Sequence, residues 1–423
     1  MRDEEVEETL RALYAAIEEQ DGRWWGRHGE LRLSSSFQPV FSFPHGRPVG
    51  YEALIRVADA SGQPLSPVSL FERVDGFEQQ VWLDRLCRLV HVHNFCKQVS
   101  GDAWLFLNIH PAVFLHSVQQ GRLLTRAVDL LNQLGIPMHR LVLEVTEDVM
   151  AQDHSFEEAV AWAREVGCLL ALDDFGAGHS NFDRVWRLRP EIVKLDRSLL
   201  RRAMASPRVA RMLGQVVSLL HECGSLALLE GVESEEEAQL ALDADVDLVQ
   251  GYHFARPQPQ LQGLAQPSEA VAAVWHHHDD RVAQMRAAEQ ARVLPYREAL
   301  QLAAAGLRAG QALAEAAGAF LQQAGSQLAY LLDARGCLIA EALPPAGRGA
   351  RNERFAPLDH DGEARWSRRP YFRRALEHPG EIQVTRPYLS LHGARLCQTV
   401  SVALMLEGGL TVLCGDLESG EAQ

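Results

Sequence analysis

Seven short apolar runs between Gly50 and Phe254 each carry an oxygen-bearing or cationic side chain at a corresponding place. These side chains are Glu52, Asn108, Glu144, Asp173 with Asp174, Lys194, Glu230 and Gln250. Most of the intervening segments have the length and periodicity of a helix, and apolar strands that alternate with helices indicate a buried parallel sheet. The sequence therefore predicts an α/β fold, a (β/α)8 TIM-like barrel whose strands end in polar residues at one mouth.

The polar set has the chemistry of a site for hard divalent cations. Carboxylate and carboxamide oxygens are the ligands that Mg²⁺ and Mn²⁺ prefer. Without a cation, Glu52, Glu144, Asp173 and Asp174 would repel one another in a partly dehydrated cleft. Two divalent cations would cancel these charges, with Asp173 as the candidate bridge, and such a pair can assist an in-line phosphoryl displacement. Any single carboxylate could instead only cap the following helix, but agreement across seven segments favours a shared site.

Arg56 is a candidate for binding a substrate phosphate. It follows Glu52 by four residues, so the strand period of two places both side chains on one face. The alternative is an ion pair at the surface.

The same runs resemble the EAL-domain cyclic-di-GMP phosphodiesterases. The matching motifs are EALIR (52–56), LNIHP (107–111), LEVTE (143–147), DDFGAGHSN (173–181), KLD (194–196), EGVE (230–233) and QGYHFARP (250–257). The likeness covers about residues 33 to 262, more than half of the chain. It implies an enzyme that hydrolyses one phosphodiester of cyclic di-GMP to linear pGpG, on a barrel whose first strand is antiparallel.

The resemblance also implies roles for individual side chains. The first of two Mg²⁺ or Mn²⁺ ions would be held by Glu52, Asn108, Glu144 and Asp173, and the second by Asp173 and Asp174. Glu230 would be the general base, Lys194 would orient the attacking water, and Glu147 would steady the loop after Asp174. The residues implied for substrate binding are Gln38, Pro39, Leu54, Arg56, Asp196, Glu233, Gln250 and Gly251.

Composition is typical of a cytoplasmic globular protein. The chain has 423 residues, of which 47% are hydrophobic and 23% charged. The amino terminus is acidic, no apolar run is long enough to cross a bilayer, and seven cysteines without CxxC spacing indicate reduced thiols. A net charge of −15 argues against long nucleic acids as partners. We therefore expect neither membrane nor nucleic-acid binding, while a small dinucleotide neutralised by metals remains acceptable.

The predicted organisation has four parts. Residues 1–30 form a helical extension, 31–265 the barrel, 266–325 a helical linker and 326–423 a smaller α+β domain. Pro295 is expected to end or kink a linker helix. An Ala-rich face of the linker could form a dimer seam or cover the next domain, and the resemblance implies a homodimer.

The last part has the short strands and glycine turns of an antiparallel sheet. Its RRPYFRRAL and TRPYLS segments resemble PAS or Cache-type sensory domains. Four side chains could bind a small anionic ligand there, or could instead be ion pairs and core aromatics. They are Arg369, Tyr371, Arg386 and Tyr388. Such a domain, which could bind a small molecule or a protein, would regulate the barrel.

Three functional hypotheses follow. The first is an active metal-dependent cyclic-di-GMP phosphodiesterase. The second is a catalytically weak or inactive receptor of the same fold that binds cyclic di-GMP and signals through its C-terminal domain. The third, an unrelated barrel metalloenzyme, requires every motif match to be accidental. Kinetics distinguishes the first two hypotheses, and failure to bind the dinucleotide would support the third.

Overall fold

A computed structural model describes residues 3–99, 101–146, 154–178, 182–261, 267–346, 364–391 and 395–419. The chain divides into two compact units, residues 1–280 and 281–423. In the described residues, no helix is both long and apolar enough to cross a membrane.

The first unit alternates strands and helices. Its strands are β1 (Ile17–Gln20), β2 (Arg23–His28), β3 (Leu31–Ser42), β4 (Arg47–Ala58), β5 (Pro64–Leu65), β6 (Trp104–Asn108), β7 (Leu141–Thr146), β8 (Leu169–Phe175), β9 (Ile192–Leu195), β10 (Leu226–Leu229) and β11 (Leu248–Val249). Its helices are α1 (Asp3–Ala15), α2 (Pro67–Glu72), α3 (Phe77–Cys96), α4 (Pro111–Gln119), α5 (Gly121–Gln133), α6 (His154–Glu165), α7 (Phe182–Leu188), α8 (Arg197–Ala205), α9 (Pro207–Glu222) and α10 (Glu235–Asp243).

Eight of these strands close into a barrel. The sheet order β3-β11-β10-β9-β8-β7-β6-β4 is closed by pairing of β3 with β4. Strands β4 and β6 through β11 pair in parallel with one another, whereas β3 is antiparallel to both β4 and β11. The parallel strands are buried on both faces, since all four residues of β9 and the first five of β7 are buried. The predicted TIM-like barrel is therefore confirmed, including its antiparallel first strand.

The amino-terminal extension differs from the prediction. Its helix ends at Ala15, and residues 17–28 form β1 and β2, an antiparallel pair that continues the barrel sheet through β3. Only the first half of the extension is therefore helical.

The second unit is built on an antiparallel sheet. Helix α11 (Glu269–Arg308) contains the division between the two units. It is followed by α12 (Leu313–Ala316), α13 (Gly318–Leu321), β12 (Ser326–Asp333), α14 (Pro370–Glu377), β13 (Gln383–Val384), β14 (Tyr388–Leu389), β15 (Leu396–Leu406) and β16 (Gly409–Glu418). The strand order is β12-β16-β15-β13, and β14 also pairs with β15.

Pro295 does not end a helix, because α11 runs through it as one element of 40 residues. Proline removes one backbone donor, and packing offsets this cost. Val293, Leu300 and Leu307 of the helix are buried in the same apolar cluster as Val400 and Leu413 of the sheet.

Candidate functional site

Lys194 occupies the centre of a cluster of carboxylates. The side chain lies on β9 and is only 1% exposed. Its Nζ atom is 2.7 Å from Glu144 Oε1, 2.7 Å from Glu230 Oε1, 3.1 Å from Asp173 Oδ1 and 3.8 Å from Glu52 Oε1. Four acidic side chains therefore face a single ammonium, and negative charge is in excess.

Two amides orient Glu52 within this cluster. Asn108 Nδ2 at the end of β6 donates to Glu52 Oε1 at 3.1 Å. Gln250 Nε2, directly after β11, donates to Glu52 Oε2 at 2.6 Å. Side chains from two strands that do not pair with each other thus meet at one carboxylate, because the closed sheet brings the ends of β6 and β11 to the same mouth.

Asp173 and Asp174 sit at the end of β8 in unlike conformations. Asp173 is buried, and its Oδ1 atom accepts a hydrogen bond from the backbone N–H of Asp174 at 3.0 Å. Asp174 is exposed and has a φ of 59°, in the left-handed region that side-chain-bearing residues seldom adopt. The turn therefore directs two adjacent carboxylates differently, one toward Lys194 and one toward solvent.

Burial dominates the protonation of the cluster. It raises the pKa of the Glu144 carboxyl well above its ordinary value, against the attraction of Lys194. Burial likewise raises the pKa of Glu230 to about 7, with Lys194 opposing and Asp173 and Glu52 adding to the rise. For Lys194, burial lowers the pKa, but the four carboxylates outweigh it and the pKa ends well above the usual range. The ammonium therefore stays charged, and Glu230 titrates near neutrality.

The donor set fits hard divalent cations. Within the described residues, the buried Glu144 Oε2 and Gln250 Oε1 atoms have no hydrogen-bond partner, while Glu144 Oε1 lies 2.7 Å from the Lys194 ammonium. Buried acceptors without donors carry a large desolvation cost that a cation would relieve. As the side chains stand, the described part of the chain holds no group of three or more His, Cys, Asp or Glu residues arranged around a metal. The carboxylates instead converge on Lys194, so cation binding would require them to turn from the ammonium.

The residues expected to bind substrate fall into two groups, and the first group lies on β3 and β4 near Glu52. Gln38 of β3 is paired directly opposite Glu52, and its Nε2 atom donates to the Ala255 carbonyl at 3.3 Å. Pro39 is buried on the same strand, and Leu54 lies two residues beyond Glu52 on β4. Half-buried Arg56 donates to its neighbour's carbonyl and is electrostatically attracted by Glu52.

In the second group, Asp196 and Glu233 already contact other residues, and Gly251 contributes through its backbone. Asp196 caps helix α8 by accepting from the Ser198 N–H at 2.8 Å, and exposed Glu233 pairs with Arg197. Gly251 is required by close packing, since a Cβ there would lie 2.0 Å from the Val232 carbonyl oxygen. Gly251 therefore supports the turn that carries Gln250.

Tyr252 is an aromatic group at this mouth that the sequence analysis did not single out. Its side chain is 47% exposed, and the guanidinium of Arg256 lies 4.3 Å from its ring centroid. Tyr252 also interacts electrostatically with Arg56. The sequence feature that indicates its location is its position directly after Gln250 and Gly251, where an apolar strand ends in a polar turn.

Glu147, expected to steady the loop after Asp174, lies outside the described residues, as do residues 179–181 of that loop.

Three of the four candidate ligand residues of the C-terminal unit meet around a small cavity. Arg369, Tyr371 and Tyr388 line a space of about 20 Å³ together with Asp416 and Trp366. Such a volume holds about one water molecule. Arg386 is exposed and does not line this cavity.

The EAL domain family model matches residues 27–257, more than half of the chain. The chain belongs to the EAL domain family. Its EAL domain includes every candidate metal ligand described above. RocR of Pseudomonas aeruginosa, a cyclic di-GMP phosphodiesterase, is 35% identical over 170 residues, which cover 40% of this chain and 42% of RocR. YkoW of Bacillus subtilis, a signaling protein, is 27% identical over 56% of this chain and 30% of YkoW. This chain therefore spans less than half the length of these curated relatives.

Two solved EAL proteins have a similar fold. The structure of YkuI from Bacillus subtilis, in complex with c-di-GMP and calcium, covers 92% of this chain and 97% of YkuI, with a TM-score of 0.78 and 21% identity. BlrP1 from Klebsiella pneumoniae, in complex with calcium and cyclic di-GMP, covers 55% of this chain and 57% of BlrP1, with a TM-score of 0.50 and 26% identity. Because YkuI is only 21% identical, the likeness concerns the fold alone. It covers 92% of this chain and so includes residues beyond the barrel.

Proposed function

We propose that the EAL domain hydrolyses one phosphodiester bond of cyclic di-GMP and releases linear pGpG. The observation that carries this proposal is the buried Lys194 surrounded by four carboxylates at the barrel mouth. Phosphoryl transfer is catalysed mainly by positioning and by electrostatic stabilisation, and this mouth concentrates groups suited to both. The 35% identity to a cyclic di-GMP phosphodiesterase supports this choice of substrate.

We further propose that two divalent cations, Mg²⁺ or Mn²⁺, complete the site. Glu52, Asn108, Glu144 and Asp173 would hold one, and Asp173 with Asp174 the other. When bound, the cations would lower the pKa of a water molecule and offset phosphate charge. The calcium and cyclic di-GMP complex of BlrP1 supports a cation-dependent site of this kind.

The chain's own residues would divide the remaining work. Glu230 accepts the proton of the attacking water, since its pKa of about 7 leaves a large deprotonated fraction at neutral pH. Lys194 orients that water and offsets developing negative charge, and Glu147 steadies the adjoining loop. Arg56 binds a phosphate through its guanidinium, and the exposed ring of Tyr252 offers a stacking surface for a purine.

Further substrate contacts belong to the same proposal. The side chains of Gln38, Pro39 and Leu54 would line the pocket on the β3–β4 side. Asp196 and Glu233 would turn from their present partners toward the substrate, and Gly251 would leave room beside Gln250.

Regulation and location extend this proposal. We propose that the chain acts in the cytoplasm as a homodimer and that the C-terminal unit is a PAS- or Cache-like regulator. Removing residues 326–423 should then change hydrolysis, its response to effectors, or the mass measured by light scattering. Unchanged values of all three would remove the regulatory proposal and leave the catalytic one intact.

The catalytic proposal is tested by incubating the purified protein with cyclic di-GMP and Mg²⁺ or Mn²⁺ and following pGpG by chromatography. Glu230→Gln should lower the rate by about 10²- to 10⁴-fold while retaining dinucleotide binding. Glu222→Gln, an exposed site on α9, serves as the matched control and should retain the rate. Tight binding without product in the wild-type chain would make the protein a receptor, and full activity of Glu230→Gln would exclude Glu230 as the base.

A further inference from the structure

On one side of the barrel, the sheet continues beyond the mouth. Pairing of β4 with β6 ends at Glu52, whereas pairing of β4 with β3 continues to Ala58. Strand β2 joins β3 along this part, and β1 joins β2. The sheet therefore rises as a wall beside the mouth. We call this wall, which consists of β1, β2, residues 31–36 and residues 54–58, the mouth wall.

One face of the mouth wall packs on helix α3. A Cβ at Gly26 of β2 would lie 2.9 Å from Val90 Cγ2 of that helix. Leu33 of β3 is paired opposite Gly26 and shares an apolar cluster with Val90. Because successive residues of a strand point to opposite faces, the neighbouring residues Trp25 and Ser34 belong to the face that is turned away from α3.

The face turned away from α3 leads directly to the carboxylate cluster. Ser34, Ser36 and Gln38 of β3 share it, and Gln38 is paired opposite Glu52. Continuing the β2–β3 register places Arg23 beside Ser36, on the same face. This face of the sheet therefore runs from a candidate metal ligand to β2 without a change of side.

Two arginines flank the indole of Trp25 on this face. The Cζ atoms of Arg32 and Arg23 lie 4.4 Å and 5.4 Å from the Trp25 ring centroid, within the range of cation–π attraction. Arg32 donates to the neutral amide oxygen of Gln20 at 2.8 Å, and Arg23 contacts the Ser35 carbonyl at 3.4 Å. Neither guanidinium pairs with a carboxylate in the described part of the chain. We call Arg23, Trp25 and Arg32 the arginine–tryptophan platform.

We propose that the arginine–tryptophan platform binds one guanine base of cyclic di-GMP, an inference that rests on the proposed function. Guanine presents two acceptors, O6 and N7, on one edge, and the planar guanidinium of arginine can donate to both. Arg23, the arginine nearer to the mouth, would donate to that edge. The Trp25 ring would fix the plane of the guanidinium, and Arg32 would add a second positive charge.

The distance from the cluster favours a base over the phosphate that is cleaved. Two residue spacings along β3 and one strand spacing separate the backbones of Arg23 and Gln38, which is about 8 Å. The reacting phosphate would lie at the carboxylate cluster, beyond Gln38. The bases extend outward from the sugar–phosphate ring of a cyclic dinucleotide, so a base is the part of the substrate that reaches the mouth wall.

The test is titration calorimetry of the full chain with cyclic di-GMP and with its 7-deaza analogue, in which a C–H group replaces N7 of guanine. Calcium is included because the BlrP1 complex contains calcium and cyclic di-GMP. The wild-type chain should bind cyclic di-GMP about fivefold more tightly than the analogue. Arg23→Met should weaken cyclic di-GMP binding by about tenfold or more and reduce this preference by about fivefold. Trp25→Leu should weaken binding by about two- to fivefold.

Arg27→Met is the matched control. Arg27 lies on the same face of β2, but Glu18 already pairs with it at 2.9 Å. This variant should therefore leave the affinity within about twofold. Arg23→Lys keeps the charge without the two-point fork, so it should lose the preference as Arg23→Met does. It replaces Arg23→Met if circular dichroism shows that the methionine variant does not fold.

The outcomes separate this inference from the proposed function. Unchanged affinity in Arg23→Met, or an equal loss in Arg27→Met, would overturn the platform as a binding site and leave the proposed hydrolysis intact. Equal weakening of cyclic di-GMP and its analogue in Arg23→Met would indicate a phosphate contact and overturn the guanine assignment. A wild-type chain that binds no cyclic di-GMP would overturn the proposed function and this inference together. Calorimetry needs no turnover, so a chain that binds without hydrolysis still decides the result.

Discussion

The two units of this chain each bury acidic side chains, but they satisfy the charge in different ways. At the barrel mouth, four carboxylates share one ammonium, and the Oε2 atom of Glu144 and the Oε1 atom of Gln250 lack hydrogen bonds within the described residues. In the second unit, Asp416 accepts from the Thr399 hydroxyl at 2.7 Å and from the Tyr330 hydroxyl at 3.3 Å. Tyr388 extends that network to Thr399 at 2.6 Å.

This difference distinguishes a site from a structural network. The Thr399 and Tyr330 hydroxyls already donate to Asp416, and the adjoining cavity of about 20 Å³ has room for about one water molecule. The barrel cluster instead retains excess negative charge and unused acceptors, which a protein keeps where a cation or substrate supplies the missing partner. We therefore place the chemistry at the barrel mouth and expect the Asp416 network to contribute stability.

The largest expected effect comes from removing the charge at the centre of the barrel cluster. Lys194→Met should lower cyclic di-GMP hydrolysis by about 10²- to 10³-fold, because no ammonium would then offset negative charge at the mouth. Asp416→Asn should leave hydrolysis within about twofold and cost about 1–2 kcal/mol of stability through the weakened hydroxyl network. Both rates are measured with saturating metal, and stability by urea denaturation.

Arg202→Met, on the exposed face of α8, controls for loss of a positive charge near the same strand. Equal losses of hydrolysis in Lys194→Met and Asp416→Asn would show that the two clusters do not differ in function.

Substituting one glycine in each unit tests whether overpacking affects stability alone or also hydrolysis. A Cβ at Gly251 would lie 2.0 Å from a backbone oxygen and 2.4 Å from a backbone nitrogen of Val232, so the turn itself must shift. At Gly415 of β16, a Cβ would meet the ring of Phe320 at 2.3 Å. We expect Gly251→Ala and Gly415→Ala each to cost about 2–4 kcal/mol of unfolding free energy, as severe overpacking does.

Only Gly251→Ala should also impair hydrolysis in the protein that remains folded, because that turn positions Gln250 against Glu52. Gly178→Ala, where a Cβ would meet open space, is the stability control. Intact turnover per folded molecule in Gly251→Ala would contradict the positional role of this turn.

The apolar runs that alternate with helical segments were sufficient to predict the barrel and the convergence of the polar residues at its strand ends. Strands β1 and β2 were not predicted because IEEQ and RWWGRH lack a simple apolar alternation. They form through tertiary pairing, β2 with β3 and β1 with β2. The continuous helix through Pro295 also depends on tertiary packing that propensity does not report. At the site, the position of Lys194 in its apolar run, corresponding to the positions of the carboxylates in theirs, was sufficient to predict that it lies among them. Its distances to the carboxylates depend on side-chain conformation, which the sequence pattern does not report.

The last comparison concerns pH. In metal-free protein, the Glu230 pKa of about 7 lies above the ordinary value of 4.5, so the folded state holds a proton that the unfolded state releases. The contribution of Glu230 to stability must therefore fall as pH rises from about 4.5 to 7, by at most about 1.4 kcal/mol per pH unit. The raised pKa of Glu144 acts with the same sign. Lys194, whose pKa is raised above 10.5, contributes a constant amount in this window.

Urea denaturation in EDTA at pH 5, 6, 7 and 8 measures this slope, and Glu230→Gln should reduce it because glutamine does not titrate. The second unit provides the contrast, since burial raises the pKa of the Tyr330 hydroxyl well above its ordinary value of 10.0 and keeps it neutral throughout. Tyr330→Phe should therefore lower stability by a similar amount at each pH and leave the slope unchanged. If Glu230→Gln instead preserves the wild-type slope, Glu230 does not titrate near neutrality in the metal-free barrel, and its assignment as the group poised to take a proton loses its electrostatic support.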